Sequence, residues 1–215
     1  MARKPADQSV NREEIIMAAA DVLRRNGYEA TTMKDIAARV NLTAASLYHH
    51  FRNKDTLLLA VLEGGLDLVI ELIEPIVNSD LPATEKLTRM IEAHIVNVTE
   101  NTAVGAAMVF EIRSLMSMKS PPRNGGHVDS DALQELIDRR DEFFARRHYF
   151  EELFRRVVHE GIQNGEFRPV DVGIFTKAML GAHNWVAVWF RQGGRLDGQA
   201  VSAMMADTFL RSLHP

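Results

Sequence analysis

The sequence predicts an all-α fold, and three observations carry that expectation. Apolar residues recur three and four positions apart through almost every segment. No stretch alternates apolar and polar residues for long enough to form a strand. Clusters of Gly, Pro and Asn punctuate the chain at intervals suited to about nine helices, with no internal repeat. The 215 residues are 46% hydrophobic and 25% charged, enough for a sizeable core. The expected layout is a small N-terminal unit over 1–56 joined to a larger helical body over 57–215.

The elements follow in order. Over 12–26, Ile15, Ile16, Ala19, Val22 and Leu23 lie on one helical face, and Gly27 stands where a left-handed terminating residue belongs. Thr32 caps a short helix whose inner face is Met33, Ile36, Ala37 and Val40, and Asp35 completes a capping box. After a break at Asn41-Leu42, Thr43 caps a second short helix over 44–51. Asn53 caps a third, which continues over 54–78 until Pro75 and the cluster Asn78-Ser79-Asp80-Leu81-Pro82 close it. Helices are expected over 83–100 and 102–118, then the clearest loop of the chain at Ser120-Pro121-Pro122-Arg123-Asn124-Gly125-Gly126. A long helix over 129–164 ends at Gly165. The last two cover 171–191 and 197–213, separated by Gln192-Gly193-Gly194-Arg195.

Composition excludes several function classes. The net charge is −4, but residues 1–56 carry nine Lys/Arg against seven Asp/Glu, a balance of +2, so the remainder stands at −6. A mildly basic end on an acidic body suits a protein that touches phosphate at one end. The absence of cysteine excludes disulfides, thiolate metal sites and a cysteine nucleophile. The longest apolar runs, 57–62 and 185–190, are far shorter than the roughly 20 residues of a membrane span. No apolar stretch follows the basic Met1-Ala2-Arg3-Lys4-Pro5, so no signal peptide is expected and the cytoplasm is the simplest location. No phosphate-binding Gly loop, metalloprotease helix or nucleophile elbow is present, so neither catalytic residues nor a cofactor is expected. His148 and His159, eleven apart, could share a helix face with Glu151, Glu152 or Glu160 toward a metal, but solvated histidines are the simpler reading and no metal site is expected.

Three short helices with a tight turn between the second and third make a helix-turn-helix. Such a motif needs a helix that packs on one face while short groups near its N-terminus meet base edges in the major groove. The segment Thr43-Ala44-Ala45-Ser46-Leu47-Tyr48-His49-His50-Phe51 meets that demand. Leu47 and Phe51 anchor it inward, leaving Thr43, Ala44, Ser46, Tyr48 and His49 facing out. Ala44 and Ala45 permit close approach to the groove floor. Lys54, opening the next helix, joins its charge to backbone N–H groups to hold a phosphate.

Residues 12–62 resemble the N-terminal domain of TetR-type regulators. The resemblance rests on Thr31-Thr32-Met33-Lys34-Asp35-Ile36-Ala37, on Leu42-Thr43, and on Leu47-Tyr48-His49-His50-Phe51-Arg52-Asn53-Lys54, which holds every element of the Leu-Tyr-x-His-Phe-x-x-Lys signature. It implies that Thr32 and Lys34 lie near the DNA backbone. Thr43, Ala44, Ser46, Tyr48 and His49 would face groove or phosphate, His50 would touch phosphate, and Lys54 is the recurrent phosphate ligand. Few Arg, Asn or Gln stand on the recognition helix, so direct readout per half-site should be modest and DNA shape important.

In the body, the small residues Ala178, Gly181 and Ala182 precede Trp185 and Trp189, and Asp197 caps a final helix with a Val201, Met204, Met205, Thr208 stripe. These two helices are the expected homodimer interface on a near-palindromic operator, a four-helix bundle by the same resemblance. The pattern Gly161-Ile162-Gln163-Asn164-Gly165-Glu166-Phe167-Arg168, Asp171, Gly181-Ala182-His183-Asn184-Trp185 and Trp189-Phe190 is similar to a TetR subgroup that responds to acyl-CoA and related CoA thioesters. An acyl chain needs an apolar tunnel and a CoA head needs basic groups at its mouth. Met108, Phe110, Phe144, Phe154, His183 and Trp185 are the expected ligand contacts, with Arg113 and Arg147 supplying charge. Met90, Met116, Phe143 and Phe150 could extend the tunnel, and Arg146, Arg155 and Arg156 could add charge. Each of these Met and Phe residues also suits plain core, and the arginine pairs also suit a solvated face bridged to Glu151, Glu152 and Glu160. A regulator of efflux or another pathway, sensing a hydrophobic ligand without CoA, is the alternative. The sequence leaves repressor and activator open.

Overall fold

The computed structural model describes residues 10–117 and 130–215. Among these the fold is all-helical: α1 (Arg12–Ala30), α2 (Met33–Arg39), α3 (Ala44–His50), α4 (Lys54–Val77), α5 (Ala83–Glu100), α6 (Thr102–Phe110), α7 (Ile112–Ser117), α8 (Ser130–Gln163), α9 (Val172–Trp189) and α10 (Gly198–Leu213). The Pro-Gly loop expected at 120–126 lies outside the described residues.

Helix starts follow the capping chemistry of the sequence. Thr32 and Asp35 form a reciprocal capping box, Asn53 and Thr56 form another, and Asn11, Thr43, Asp171 and Asp197 each accept a backbone N–H of the first turn. Gly27 adopts φ +72°, so the regular part of α1 stops there and one further turn follows before Thr31. Gly165, also left-handed at φ +74°, lies just beyond α8.

Two boundaries differ from expectation. Pro75 lies inside α4, which runs on to Val77; in the last turn a missing N–H removes only one ladder bond. The helix expected over 102–118 is two, α6 and α7, parted at Glu111. The backbone ladder continues through the break, Glu111 N–H to Ala107 and Leu115 N–H to Glu111, so the chain bends without losing those bonds. This split raises the helix count from about nine to ten among the described residues.

α4 is the central element. Residues 57 to 62 are all buried, because α1, α5, α6 and α8 pack around this helix. α5 in turn lies against α4, α8, α9 and α10. Gly105 lets α6 approach α9, where an added Cβ would stand 2.8 Å from Ala187 Cβ. Among the described residues no helix is long and apolar enough to cross a membrane.

Candidate functional site

The N-terminal unit is built as a small bundle of α1 to α3. Leu47 and Phe51 are buried, which turns the opposite face of α3 outward, and Tyr48, His49 and His50 are exposed on it. The turn between α2 and α3 passes through Asn41 at φ +56°, a conformation asparagine tolerates, and closes with Leu42 N–H donating to Ala37 O at 2.9 Å. Thr43 is exposed, while Ala44 and Ser46 are half-buried. The Thr43 hydroxyl is 2.8 Å from that of Ser46 and accepts the Ser46 N–H at 3.0 Å, so both groups already serve the cap. Thr32 and Lys34 are exposed at the start of α2, the Thr32 hydroxyl donating to Asp35 at 2.7 Å.

Lys54 is held differently from a free surface cation. Its ammonium donates to the carbonyls of Tyr28 at 2.6 Å and Thr31 at 2.9 Å and stands 4.1 Å from the centroid of the Tyr28 ring. The Tyr28 hydroxyl donates to Asp55, and burial, then that carboxylate, push the phenol's pKa up. On its other side, Tyr28 N–H donates to the buried Glu111 carboxylate at 3.0 Å. The last turn of α1 and the loop that follows it are therefore clamped between α4 and the α6–α7 break.

The body encloses a cavity of about 630 Å³. Its apolar wall includes Val61 and Leu68 of α4, Val98 of α5, Val104 and Met108 of α6, Phe150 of α8 and Leu180 of α9. Ile16 and Met17 of α1 complete it and Glu13 adds a carboxylate, so the first helix of the N-terminal unit forms part of the wall. Polar groups are few: His94, Asn97 and Asn101 on and just after α5, Arg147 and Glu151 on α8, Lys177 and Asn184 on α9. Asn101 is tied to the Asn97 side chain at 3.0 Å. Glu151 accepts from Lys177 at 2.8 Å and from Arg155. Burial works to raise the Glu151 carboxyl, but the Lys177 hydrogen bond and the charges of Arg155 and Lys177 outweigh it and hold its pKa below the usual carboxylate range.

Of the expected ligand contacts, Met108 and Arg147 line the cavity. His183 and Phe154 are buried just behind its wall, His183 with Nδ1 3.4 Å from that of His94 and Phe154 with its ring 6.2 Å from His94's. Phe144 is half-buried, edge-on to Phe143. Phe110 and Trp185 do not line the cavity; both are about half exposed, rings 6.3 Å apart, on the outer face where α6 meets α9. Arg113 is exposed on α7. His148 and His159 are exposed, and among the described residues no three His, Asp or Glu gather as metal ligands. Sequence reasoning missed His94, Asn97, Asn101, Lys177 and the α1 residues. The available signal was His94, Asn97 and Asn101 at i, i+3 and i+7, a polar line along an otherwise apolar helix face.

Comparison with known proteins adds to this geometry. The family described as "Bacterial regulatory proteins, tetR family" matches residues 15–61, and "Tetracyclin repressor-like, C-terminal domain" matches 129–213. The chain is 27% identical to the HTH-type transcriptional repressor KstR2 of Rhodococcus jostii (strain RHA1), over 99% of this chain and 98% of that one. It is 30% identical to the TetR family transcriptional regulator PfmR from Thermus thermophilus, covering 92% of this chain and 97% of PfmR at a TM-score of 0.75. AibR, solved in complex with isovaleryl coenzyme A and operator DNA, is 26% identical, with 95% and 98% of the two chains covered and a TM-score of 0.72.

Proposed function

The chain belongs to the TetR family of bacterial transcriptional regulators, and from that premise we propose that it is a cytoplasmic homodimeric repressor released from a near-palindromic operator by a CoA thioester. Residues 1–56 are the DNA reader, α4 links them to the rest, and 57–215 senses ligand and dimerises. Tyr48, Thr43, Ala44, Ser46 and His49 meet the groove, and Thr32, Lys34, His50 and Lys54 hold the backbone.

One observation carries the ligand reading. Along α8, Arg139 pairs with Glu63, Arg140 with Asp141, Arg146 with Asp67, Arg155 with Glu151, and Arg156 bonds Asn78. Arg147 alone of this series has no such partner among the described residues, and it is the one that lines the cavity. An apolar chamber with an unpaired guanidinium suits a ligand with an apolar chain and an anionic head, the two halves of an acyl-CoA. AibR supports the class, having been captured with such a thioester and with operator DNA. The test is calorimetry and operator release with short-, medium-, long-chain and aromatic CoA esters. Binding with release is expected from at least one; failure of all of them rejects the class and returns the site to a hydrophobic ligand without CoA.

The dimer reading rests on the outer face. Ile174, Ala178, Gly181, Trp185 and Trp189 recur three and four apart on α9, with Ile174, Gly181 and Trp185 exposed, and Met204 and Thr208 are exposed on α10. Ile174 at 71% and Trp185 at 52% exposure form an apolar stripe that a second copy would cover. Trp185→Glu with Trp189→Glu should halve the mass measured by light scattering; an unchanged dimer would place the interface elsewhere.

A further inference from the structure

Deep in the cavity wall lies a polar pair that the CoA head does not explain. His94 lines the cavity, and His183 stands behind it, 0% exposed, their Nδ1 atoms 3.4 Å apart. Phe150 packs edge-on to His94 with centroids 5.2 Å apart, and Phe209 edge-on to His183 at 5.4 Å. Burial in this aromatic cage holds the His94 pKa at about 4, and burial, then the neighbouring His94, hold that of His183 well below its ordinary value. At neutral pH both rings are uncharged, so the pair has two N–H groups and two lone pairs.

One Nδ1–H fills the contact between the rings. Were His94 to donate it, His183 would carry its own proton on Nε2, where no partner lies. A buried orphan N–H is a costlier defect than a bare lone pair. The proton between the rings is therefore His183's. His183 Nε2 is left as the bare lone pair, and the His94 proton sits on Nε2. His94 thus presents an N–H donor within an apolar cavity wall, with no protein acceptor for it among the described residues.

Taking this cavity as the ligand site proposed above, we propose that His94 is its specificity-determining contact: the Nε2–H donates to the thioester carbonyl oxygen where the apolar chain joins its head group, and His183 acts as a positioning residue that fixes the His94 tautomer. In a low-dielectric wall such a bond counts for more than at the surface, and a ligand without the acceptor leaves the donor buried and unpaired.

Two matched probes test this on the full chain by calorimetry: octanoyl-CoA and its thioether S-octyl-CoA, which differ at the carbonyl. The expected result is thioester binding about tenfold tighter or more, the scale of one buried hydrogen bond. In His94→Phe that preference should fall to near unity, with thioether affinity changed less than about threefold, within the context scatter of such a contact. Equal affinity for both probes in the natural chain, or a preference that survives His94→Phe, overturns the role of His94 while leaving the cavity as the CoA site. Failure of both probes to bind rejects the thioester reading itself, and this inference with it. Should His94→Phe not fold, the probe pair on the natural chain still decides. For His183, ¹⁵N spectra of labelled protein should show His94 protonated at Nε2, and His183→Phe should turn that signal into a tautomer mixture; an Nδ1–H tautomer in the natural chain also overturns the assignment.

Discussion

Gly64 and Gly65 are consecutive in the middle of α4 and both line the cavity, yet alanine at the two positions should have opposite effects. A Cβ on Gly64 meets nothing within 4 Å, whereas one on Gly65 falls 2.4 Å from Val104 Cγ1 of α6. Alanine is favoured over glycine in a helix interior by about 0.8–1.0 kcal/mol, largely because glycine has more backbone freedom to lose. Gly64→Ala should therefore stabilise the chain by about 1 kcal/mol, or about 2–4 °C in Tm for a chain of this size. Gly65→Ala starts from the same gain but must push aside a buried valine whose χ1 is stiff, an overpacking cost of about 1–3 kcal/mol. Its expected net effect is a loss of about 1 kcal/mol. Urea titration of the two variants side by side measures the difference, which should approach about 2 kcal/mol, the overpacking cost that only Gly65→Ala incurs. The functional arm is Gly64→Leu, whose side chain grows into the cavity from an unstrained Cβ. It should bind operator normally and lose ligand-driven release by about tenfold, since overfilling the site costs about 1–3 kcal/mol and tenfold is about 1.4 kcal/mol. If Gly64→Ala destabilises, or Gly65→Ala matches it, the packing of α4 on α6 is wrong.

Lys54→Met should both lower stability by about 1–3 kcal/mol, since it strands the Tyr28 and Thr31 carbonyls, and weaken operator binding alike across sequences. A salt dependence of binding whose slope falls by about 1 assigns Lys54 to phosphate; a lowered melt with an unchanged slope confines it to holding the loop. Glu111→Ala should cost about 1–3 kcal/mol by leaving Tyr28 N–H unbonded, while Glu111→Gln, which keeps an acceptor, should cost less than about half of that. Equal losses in the two variants, by chemical denaturation, would contradict the bond. Stability should also fall with acid. His94 titrates near 4 in the folded chain against 6.5 ordinarily, so between those values the unfolded chain binds more protons and folding is opposed as pH drops, by up to about 3 kcal/mol. His183 shifts in the same direction. Denaturation midpoints that stay flat from about pH 6.5 to 4, or a slope unaltered in His94→Phe, would show that the pair is not buried neutral.

The sequence was legible wherever a local rule acts. Thr32 with Asp35, Asn53, Thr43, Asp171 and Asp197 announce helix starts because a side chain three residues from a backbone N–H is short-range chemistry. Leu47 and Phe51 were readable as anchors because four residues make about one turn. The α6–α7 break was not, because Glu111 bonds Tyr28, 83 residues away, and nothing near position 111 signals it. The same holds for the cavity. Periodicity identifies an inward face but cannot say whether that face meets another side chain or empty space. Phe154 and Met108 therefore read alike in sequence, although one is sealed in the core and the other faces the cavity. Trp185 shows the converse: its spacing with Trp189 suited a seam or a pocket wall, and only the packing of α6 beside α9 puts it outside.

On the function proposed above, α1 is the element through which occupancy of the cavity would reach the DNA. Near its start, Glu13, Ile16 and Met17 form part of the cavity wall; near its end, Tyr28 is bonded at N–H by Glu111 and at its carbonyl by Lys54. Between the two lies Gly27, whose left-handed conformation separates the regular helix from the clamped turn. A ligand shifts an equilibrium only by its difference in affinity for the two states. Moving a population from 99:1 to 1:99 takes about 5.5 kcal/mol, while a tenfold loss of operator affinity takes about 1.4. The Tyr28–Glu111 bond alone falls in the range of about 1–3 kcal/mol, the scale of a tenfold change. A ligand that displaces the α1 wall or shifts α6 therefore has enough leverage at this clamp to release operator without unpacking the α4 core. Glu111→Gln separates the two routes: if the clamp carries the signal, its weakening changes the ligand-induced drop in operator affinity more than it changes ligand binding, and if the α1 wall alone carries it, the drop is preserved.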